Sequence, residues 1–413
     1  MNIKSLLIGS TATLLAVSGT RAADAPIVAE PEPVEYVRVC DVYGAGYFYI
    51  PGTETCMRIS GYLRSEIKGG DDVYARQYGK HNRDTYAWRT RATFRVHTAS
   101  ETELGTLRTF AELRSQWDGG GEYGPAGDSA SGQIRFAFIE LGGLRIGLDE
   151  SIFNHWTGYF GNIVNDDILN PMASSRTNVI SYTFNSDNGF SAILGLEQGN
   201  NEGDESGFRY NRQGSRINRN LSQQIDDYTP NIIAGLKFAP GWGTVSAVAA
   251  YDTYYSEWAG KLRLDVNVTD QFSLWAMAGY KSMKDYYRED ENYGNSGIRQ
   301  IRPGYSRLGL YRQVNSIYGD WGGDWAAWGG GTYKFTPQTS FNFQLAYEEA
   351  RTFSSSVNLS HELVPGLNIT PELTYISWNN KYGYKNPDGS GDARVSLRGK
   401  DAFQGIVRLE RSF

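Results

Sequence analysis

Trp88-Arg89-Thr90-Arg91-Ala92-Thr93-Phe94-Arg95-Val96-His97 is the stretch on which the fold turns. Trp88, Thr90, Ala92, Phe94 and Val96 fall on one face of an extended chain. Arg89, Arg91, Thr93, Arg95 and His97 fall on the other. A period of two is the signature of a strand, because successive side chains point to opposite faces. The same alternation returns in Lys261–Val268, where Leu262, Leu264, Val266 and Val268 interleave with Lys261, Arg263, Asp265 and Asn267. Phe341, Phe343, Leu345 and Tyr347 alternate in this way with Asn342, Gln344 and the later Glu348. One-sided apolar strands also suit a soluble sheet with one wet face, so count and spacing have to decide.

Alternating segments recur at 57–67, 86–97, 104–116, 133–141, 144–149, 178–185, 189–197 and 231–239. They continue at 243–254, 258–268, 271–284, 324–336, 339–350, 352–363, 367–378 and 402–413. That makes sixteen, an even number, and most have about the 9–11 residues that a tilted strand needs to cross a bilayer. Their connections differ by side. Gly142-Gly143, Asn185–Asn188, Ala239–Trp242, Thr269-Asp270, Pro337-Gln338 and Pro365-Gly366 are tight, and Thr98–Glu103 is a slightly longer member. The stretches 68–85, 117–132, 150–177, 198–230, 285–323 and 379–401 are long and rich in Gly, Asp, Asn and Tyr. Two further connections on that side, at 255–257 and 350–351, are short. Tight turns at one end and mostly long loops at the other predict an all-β, 16-stranded antiparallel transmembrane β-barrel. In lipid every unpaired backbone group is costly, so the last strand must pair with the first. That last strand ends at Phe413, with Phe403, Gly405, Val407 and Leu409 on the same face and Arg411 interrupting it.

Composition agrees. Of 413 residues 48 are Gly, and 14% are aromatic, which separates the chain from disordered sequences. A net charge of -6 carries no nucleic-acid signature, and four His with two Cys exclude a metal-cluster or disulfide-dense scaffold. No apolar run after the first 20 residues is long enough for a membrane-spanning helix.

Residues 1–22 read as a signal peptide. Lys4 supplies the positive end, Leu6–Ile8 and Ala12–Val17 the apolar centre, and Thr20-Arg21-Ala22 the cleavage site. Residues 23–56 read as a periplasmic tether and hairpin. Ala23-Asp24-Ala25-Pro26 and Glu30-Pro31-Glu32-Pro33 favour an extended chain. Cys40 and Cys56, an even pair in an exported protein, read as a disulfide, with two free thiols as the alternative. Residues 57–413 make the barrel.

The run Tyr36–Asp41, continuing through Tyr47–Cys56 and Arg58–Tyr62, closely resembles the alphaproteobacterial porins of rhizobial and Brucella type. The signal, the mature start and the terminal Phe413 extend the resemblance over the whole chain. It implies a homotrimeric, water-filled diffusion channel in the outer membrane, among lipid and lipopolysaccharide, without a cofactor. The small outward residues Gly61, Ala92 and Ala111 suit a subunit contact. The resemblance also implies an inward-folded third outer loop, which by strand order is 150–177. There Phe153, Trp156, Tyr159 and Phe160 suit packing on a wall, and Asp166 and Asp167 suit water. Facing them would stand Arg64, Arg89, Arg91, Arg95, Arg108 and Arg114, since an arginine at the bilayer midplane costs about 2–4 kcal/mol on the lipid face. A transverse field between acids and arginines orders water and disfavours apolar solutes. An ordinary exposed loop is the alternative. The Ala23 amine, after cleavage, suits attachment to peptidoglycan as in barrels with this mature start, against a free N-terminus.

Three other functions compete with this reading. A barrel hydrolase needs a nucleophile and base in reach, and none of His81, His97, His155 or His361 sits in a G-x-S-x-G setting. A sugar-specific channel would use aromatic residues, which interfacial girdles also explain. A plugged transporter would need a large N-terminal domain, and only about 34 residues separate the cleavage site from the first strand.

Overall fold

The computed structural model describes residues 38–413 apart from 72, 74–85, 121–130, 159–160, 167, 170–175, 200–207, 211–215, 219–227, 254–255, 284–285, 291–308, 314–316, 320, 350, 379–380, 386–391 and 397–399. The signal peptide, the tether with Ala23, and Asp167 lie outside the described residues.

Sixteen strands form the barrel: β1 (Cys56–Gly70), β2 (Tyr86–Thr102), β3 (Gly105–Gly120), β4 (Ser131–Leu141), β5 (Leu144–Asp149), β6 (Thr177–Asn185), β7 (Phe190–Glu197) and β8 (Asn231–Phe238). Then come β9 (Gly243–Asp252), β10 (Glu257–Asn267), β11 (Phe272–Lys281), β12 (Trp325–Thr336), β13 (Thr339–Glu348), β14 (Thr352–Val364), β15 (Leu367–Trp378) and β16 (Lys400–Ser412). The sheet has 17 members; the additional one is the two-residue Phe48–Tyr49, which pairs with the start of β1. Each barrel strand runs antiparallel to its neighbour in sequence. The ring closes where β1 meets β16, in the register Tyr62↔Ser412 through Gly70↔Gln404. Gly61 and Phe413 then exchange both backbone bonds, at 3.0 and 3.1 Å. No edge is left, as a lipid environment demands.

The alternation of the sequence maps directly onto the two faces. Trp88, Phe94, Leu262, Leu264, Leu345, Tyr347, Phe403, Val407, Leu409 and Phe413 are exposed on the outer face. Arg411, the apparent interruption, sits next to the terminus, where its guanidinium donates to the carbonyl of Pro365 in the adjacent tight turn. Many exposed Trp and Tyr, among them Trp117, Trp242, Trp258, Tyr280 and Trp325, lie near strand ends, as an aromatic girdle requires. Tight turns occupy one end. Several use glycines in the left-handed region, among them Gly189 at φ 84° and Gly366 at φ 76°. At the other end, the two short connections place non-glycine residues there, Ser256 at φ 53° and Arg351 at φ 63°. Three of the long connections each carry a short hairpin: Phe208–Tyr210 with Arg216–Asn218, Tyr286–Asp290 with Gly309–Gln313, and Lys381–Lys385 with Asp392–Ser396.

Cys40 and Cys56 are bridged, 16 residues apart in sequence. With Tyr47 and Ala99 they form a small buried cluster. Arg58, from the inner face of β1, lies 4.9 Å from the Tyr47 ring centroid, and the Tyr47 ring is 6.4 Å from that of His97. The strand begins at Cys56 itself, one residue earlier than the alternation indicates, because that residue pairs with Tyr49.

Candidate functional site

The inner faces of β16 and β1–β3 carry ionised side chains in ordered pairs. Arg64 Nε donates to Glu410 Oε2 at 2.6 Å, and Arg408 Nε to Glu66 Oε1 at 2.7 Å. Arg89 Nε donates to Asp118 Oδ1 at 2.6 Å. Glu112 takes both Arg95, at 2.7 Å, and Arg114, at 3.0 Å. Arg91 has an amide partner instead, Gln116 Oε1, 2.8 Å from its Nε. Arg108 is exposed, next to the tight turn at 103–104, and stands opposite Glu140 in the register. Reading the arginines alone had missed the four acids beside them. Their signal was present in Arg64/Glu66 and Glu112/Arg114, pairs two apart and therefore on one face.

Burial orders the two signs around Glu112 and Glu66. The Glu112 side chain is 2% exposed against 36% for Arg95, and Glu66 is 9% exposed against 34% for Arg89. These two carboxylates lie behind their guanidinium groups, whereas Glu410 and Asp118 are more exposed than their partners Arg64 and Arg89. Each acid offsets the desolvation of its arginine, and around Glu112 the guanidinium groups of Arg95 and Arg114 are the more accessible charges.

The rest of the inner wall is chemically different. Val179, Ile193, Ile233, Val248, Met277, Trp328, Ile376 and Ile406 point inward on β6–β9, β11, β12, β15 and β16, and are buried. All of these except Ile406 share one cluster with Ile152, Phe153, Trp156, Ile168 and Leu169 of the long β5–β6 connection. That connection opens with Ser151, whose hydroxyl accepts from Phe153 N at the start of the one-turn helix α1 (Ile152–His155).

Beyond α1 the segment touches the strands one after another. Ser151 Oγ (3.0 Å) and Ile152 N (2.6 Å) donate to Glu197 on β7. Trp156 Nε1 donates to the Leu236 carbonyl on β8 at 3.2 Å. A Cβ on Gly158 would lie 3.6 Å from Arg263 Nη1 on β10, and one on Gly161 would lie 2.9 Å from Trp275 Nε1 on β11. Asn162 Nδ2 reaches Thr332 on β12 and Asn342 on β13, both at 3.4 Å, and its carbonyl accepts from Asn358 on β14 at 2.6 Å. Glu372 on β15 accepts from the backbone N–H groups of Val164 and Asn165. Asn165 Nδ2 ends the series at Thr374 on β15 and Gln404 on β16. Asp166, next along, is half-buried.

Close approach is possible because the wall has glycines where the segment's side chains land. A Cβ at Gly195 would collide with Ile152, and one at Gly235 with the Trp156 ring. A second connection joins at the same place. Tyr318 Oη donates to Glu197 Oε2 at 2.8 Å, and its ring packs 5.5 Å from that of Phe153. Burial and the adjacent carboxylate push the Tyr318 phenol up, so it stays a donor. Lys281 Nζ donates to the carbonyls of Gly319 and Trp321 at 3.0 and 2.6 Å. Nothing in the periodicity of the sequence had singled out this second connection.

Comparisons with known proteins identify the family and the barrel fold. Residues 24–406 match the model of a family described as the Porin subfamily. Porin Omp2b of Brucella suis is 46% identical over 419 residues, covering 100% of both chains. Porin Omp2b of Brucella abortus (strain 2308) is 45% identical over 422 residues, again covering 100% of both. In fold, the chain is similar to the outer membrane channel DcaP of Acinetobacter baumannii, with a TM-score of 0.53 at 13% identity, over 88% of this chain and 99% of that one. It is similar also to a variant of the Rh. blastica porin, with a TM-score of 0.52 at 11% identity, over 86% of this chain and 100% of that one.

A closed sixteen-stranded barrel with an apolar outer band and a charged inner wall is a membrane channel. The chain belongs to the porin family and is an outer-membrane general diffusion porin.

Proposed function

We propose that the channel admits small hydrophilic solutes and ions, and that the 150–169 segment, folded into the lumen, sets its narrowest aperture. The order of the segment's contacts carries this reading. They run from β7 to β16 along the inner face and leave β1–β4 uncovered. The open path then lies between the segment and the guanidinium groups of Arg64, Arg89, Arg91, Arg95 and Arg114, with Asp166 on the segment's side. Arg108 stands nearer the tight-turn end and would act on solutes entering or leaving there. Fixed charge in a narrow passage is incompletely screened, so this pair of surfaces orients solute dipoles and ions across the path. Transport is down a gradient and needs no catalytic group.

Three copies would assemble through the outer faces of β1–β3, where Gly61, Ala92 and Ala111 leave shallow relief, with lipid and lipopolysaccharide around the remainder. The Ala23 amine would join peptidoglycan through the tether. Muramidase digestion and mass spectrometry of the N-terminal peptide test that last point; recovery of unmodified Ala23 peptide alone would exclude it. The aperture itself is tested by liposome swelling with neutral sugars of graded size. Glu372→Gln, which weakens the hold on the segment, should admit larger sugars than the native barrel. An unchanged size limit in a folded Glu372→Gln barrel would place the aperture elsewhere.

A further inference from the structure

One row of the inner wall is aromatic. The register runs from Arg58 on β1 through His97 on β2, Phe110 on β3 and Phe138 on β4 to Gly147 on β5. Its rings meet from strand to strand, with centroids 4.6 Å apart for His97 and Phe110 and 5.2 Å apart for Phe110 and Phe138. Phe136, two residues from Phe138, stacks on Phe110 at 6.5 Å. Tyr47 of the disulfide hairpin closes the β1–β2 end, 6.4 Å from His97. His97, Phe110, Phe136 and Phe138 are each partly exposed, on strands that the 150–169 segment leaves uncovered. Contiguous apolar surface facing water marks a contact site.

Charged rows bound this one on both sides. Arg95 and Glu112 stand one row toward the long-loop end, and Arg108, Glu140 and Arg145 one row toward the tight turns. The acids are already engaged, Glu112 by Arg95 and Arg114, and Glu140 by Arg145. Arg58 differs from most arginines of this wall. Its Nη2 lies 3.4 Å from His97 Nε2, its Nε has no hydrogen-bond partner, and among the described residues no carboxylate pairs with it.

We infer that this row binds an aromatic carboxylate in transit, with the carboxylate on Arg58 and the ring against His97 and Phe110. Arg58 and Phe110 are two strands apart, roughly 10 Å, a span that a benzene ring with one carboxylate covers in contact with both. The aromatic faces and edges favour a second π system over a saturated ring. A guanidinium without an acid favours a carboxylate, and the excess of arginines around the row disfavours a cation. A neutral sugar would need acceptors for its hydroxyls, and Glu112 and Glu140 are taken. The inference rests on the open path running along β1–β4, which the ion selectivity of Arg95→Ala tests separately.

The experiment uses single channels of the full-length barrel in planar bilayers. Benzoate added to potassium chloride should lower the current saturably. Cyclohexanecarboxylate, with the same charge and nearly the same size, should need about fivefold more for half block. Phe110→Leu keeps apolar bulk and removes the ring, and should bring the two half-blocking concentrations together; Phe138→Leu serves if that variant fails to refold. Arg58→Gln should weaken block by both anions. Equal half-blocking concentrations for the two acids in the native barrel would overturn the inference. So would stronger block by glucose than by benzoate, or unchanged benzoate block in folded Phe110→Leu or Arg58→Gln. A selectivity shift in Arg95→Ala together with no benzoate block would keep the open path and reject the aromatic row as a site.

Discussion

Glu372 Oε1 accepts the backbone N–H of Asn165 at 2.7 Å, across 207 residues of sequence. Its other carboxylate oxygen accepts from Val164 N and, at 2.9 Å, from Asn358 Nδ2. One buried side chain on β15 thus holds the far end of a connection that leaves the barrel at β5. Glu197 on β7 holds the near end through Ser151 and Ile152. Between the two acids the segment lies on a mixed wall, apolar at Ile193, Ile233 and Val248 and polar at Arg263, Thr332, Asn342 and Asn358.

Glu372→Ala should free the far end. Hydrogen bonds to an ionised group are worth about 1.5–3 kcal/mol each, and two backbone donors lose theirs. Single-channel records should show a larger mean conductance and more open-state noise than the native barrel. Records indistinguishable from native would mean that the segment's position does not depend on this carboxylate.

Gly235→Leu should act at the near end. A side chain there meets the Trp156 ring, so the ring must leave its place against β8. Trp156 also loses its bond to the Leu236 carbonyl. Overpacking of this kind costs about 1–3 kcal/mol. The unfolding midpoint of the barrel should fall, and tryptophan fluorescence should shift to longer wavelength; an unshifted midpoint and spectrum would show that the site yields freely.

Charge substitutions should move ion selectivity in opposite directions. Arg91→Ala and Arg95→Ala remove positive charge from the accessible wall and should shift reversal potentials toward cations. Asp166→Asn with Asp167→Asn should shift them toward anions. Glu112→Gln should also favour anions, because it leaves Arg95 and Arg114 without their shared acid. Each shift should be roughly twofold or more in permeability ratio at low salt and shrink as salt screens the wall. Constant reversal potentials across the set would separate these residues from the conducting path.

Reduction of Cys40–Cys56 should destabilise the start of the barrel. Constraining a loop of this length stabilises by about 3 kcal/mol in the chain-entropy model. The double variant Cys40→Ser with Cys56→Ser should unfold at lower temperature, with loss of order confined to 39–56 in hydrogen exchange. Equal midpoints with and without the bridge would show that Tyr47 and Ala99 hold the hairpin unaided.

The barrel was legible because lipid imposes a simple code. Apolar and polar residues alternate without exception from Lys261 to Val268, and turns such as Gly142-Gly143 and Pro365-Gly366 mark one end. The disulfide was legible from cysteine number and export. The arginine face of β2 was legible too, but its partners were not, because Glu112 and Asp118 meet it only through cross-strand register. The hold on the long segment was harder still. It rests on single acids, Glu197 and Glu372, on strands distant in sequence, and on glycines such as Gly235 whose importance is the absence of a side chain. A signal existed in β6–β9: Val179, Ile193, Ile233 and Val248 put apolar residues on the inward face as well, and a strand apolar on both faces is covered on both.

The central claim is that the 150–169 segment borders the open path, and the most direct measurement is thiol blocking at Asp166. The protein has two cysteines, both in the bridge, so Asp166→Cys introduces one reactive thiol. Planar-bilayer conductance of this variant should fall by roughly half or more when a bulky methanethiosulfonate reagent is added, and recover on reduction under conditions that spare the bridge. Unchanged conductance in a channel shown by mass to be fully labelled would contradict the claim.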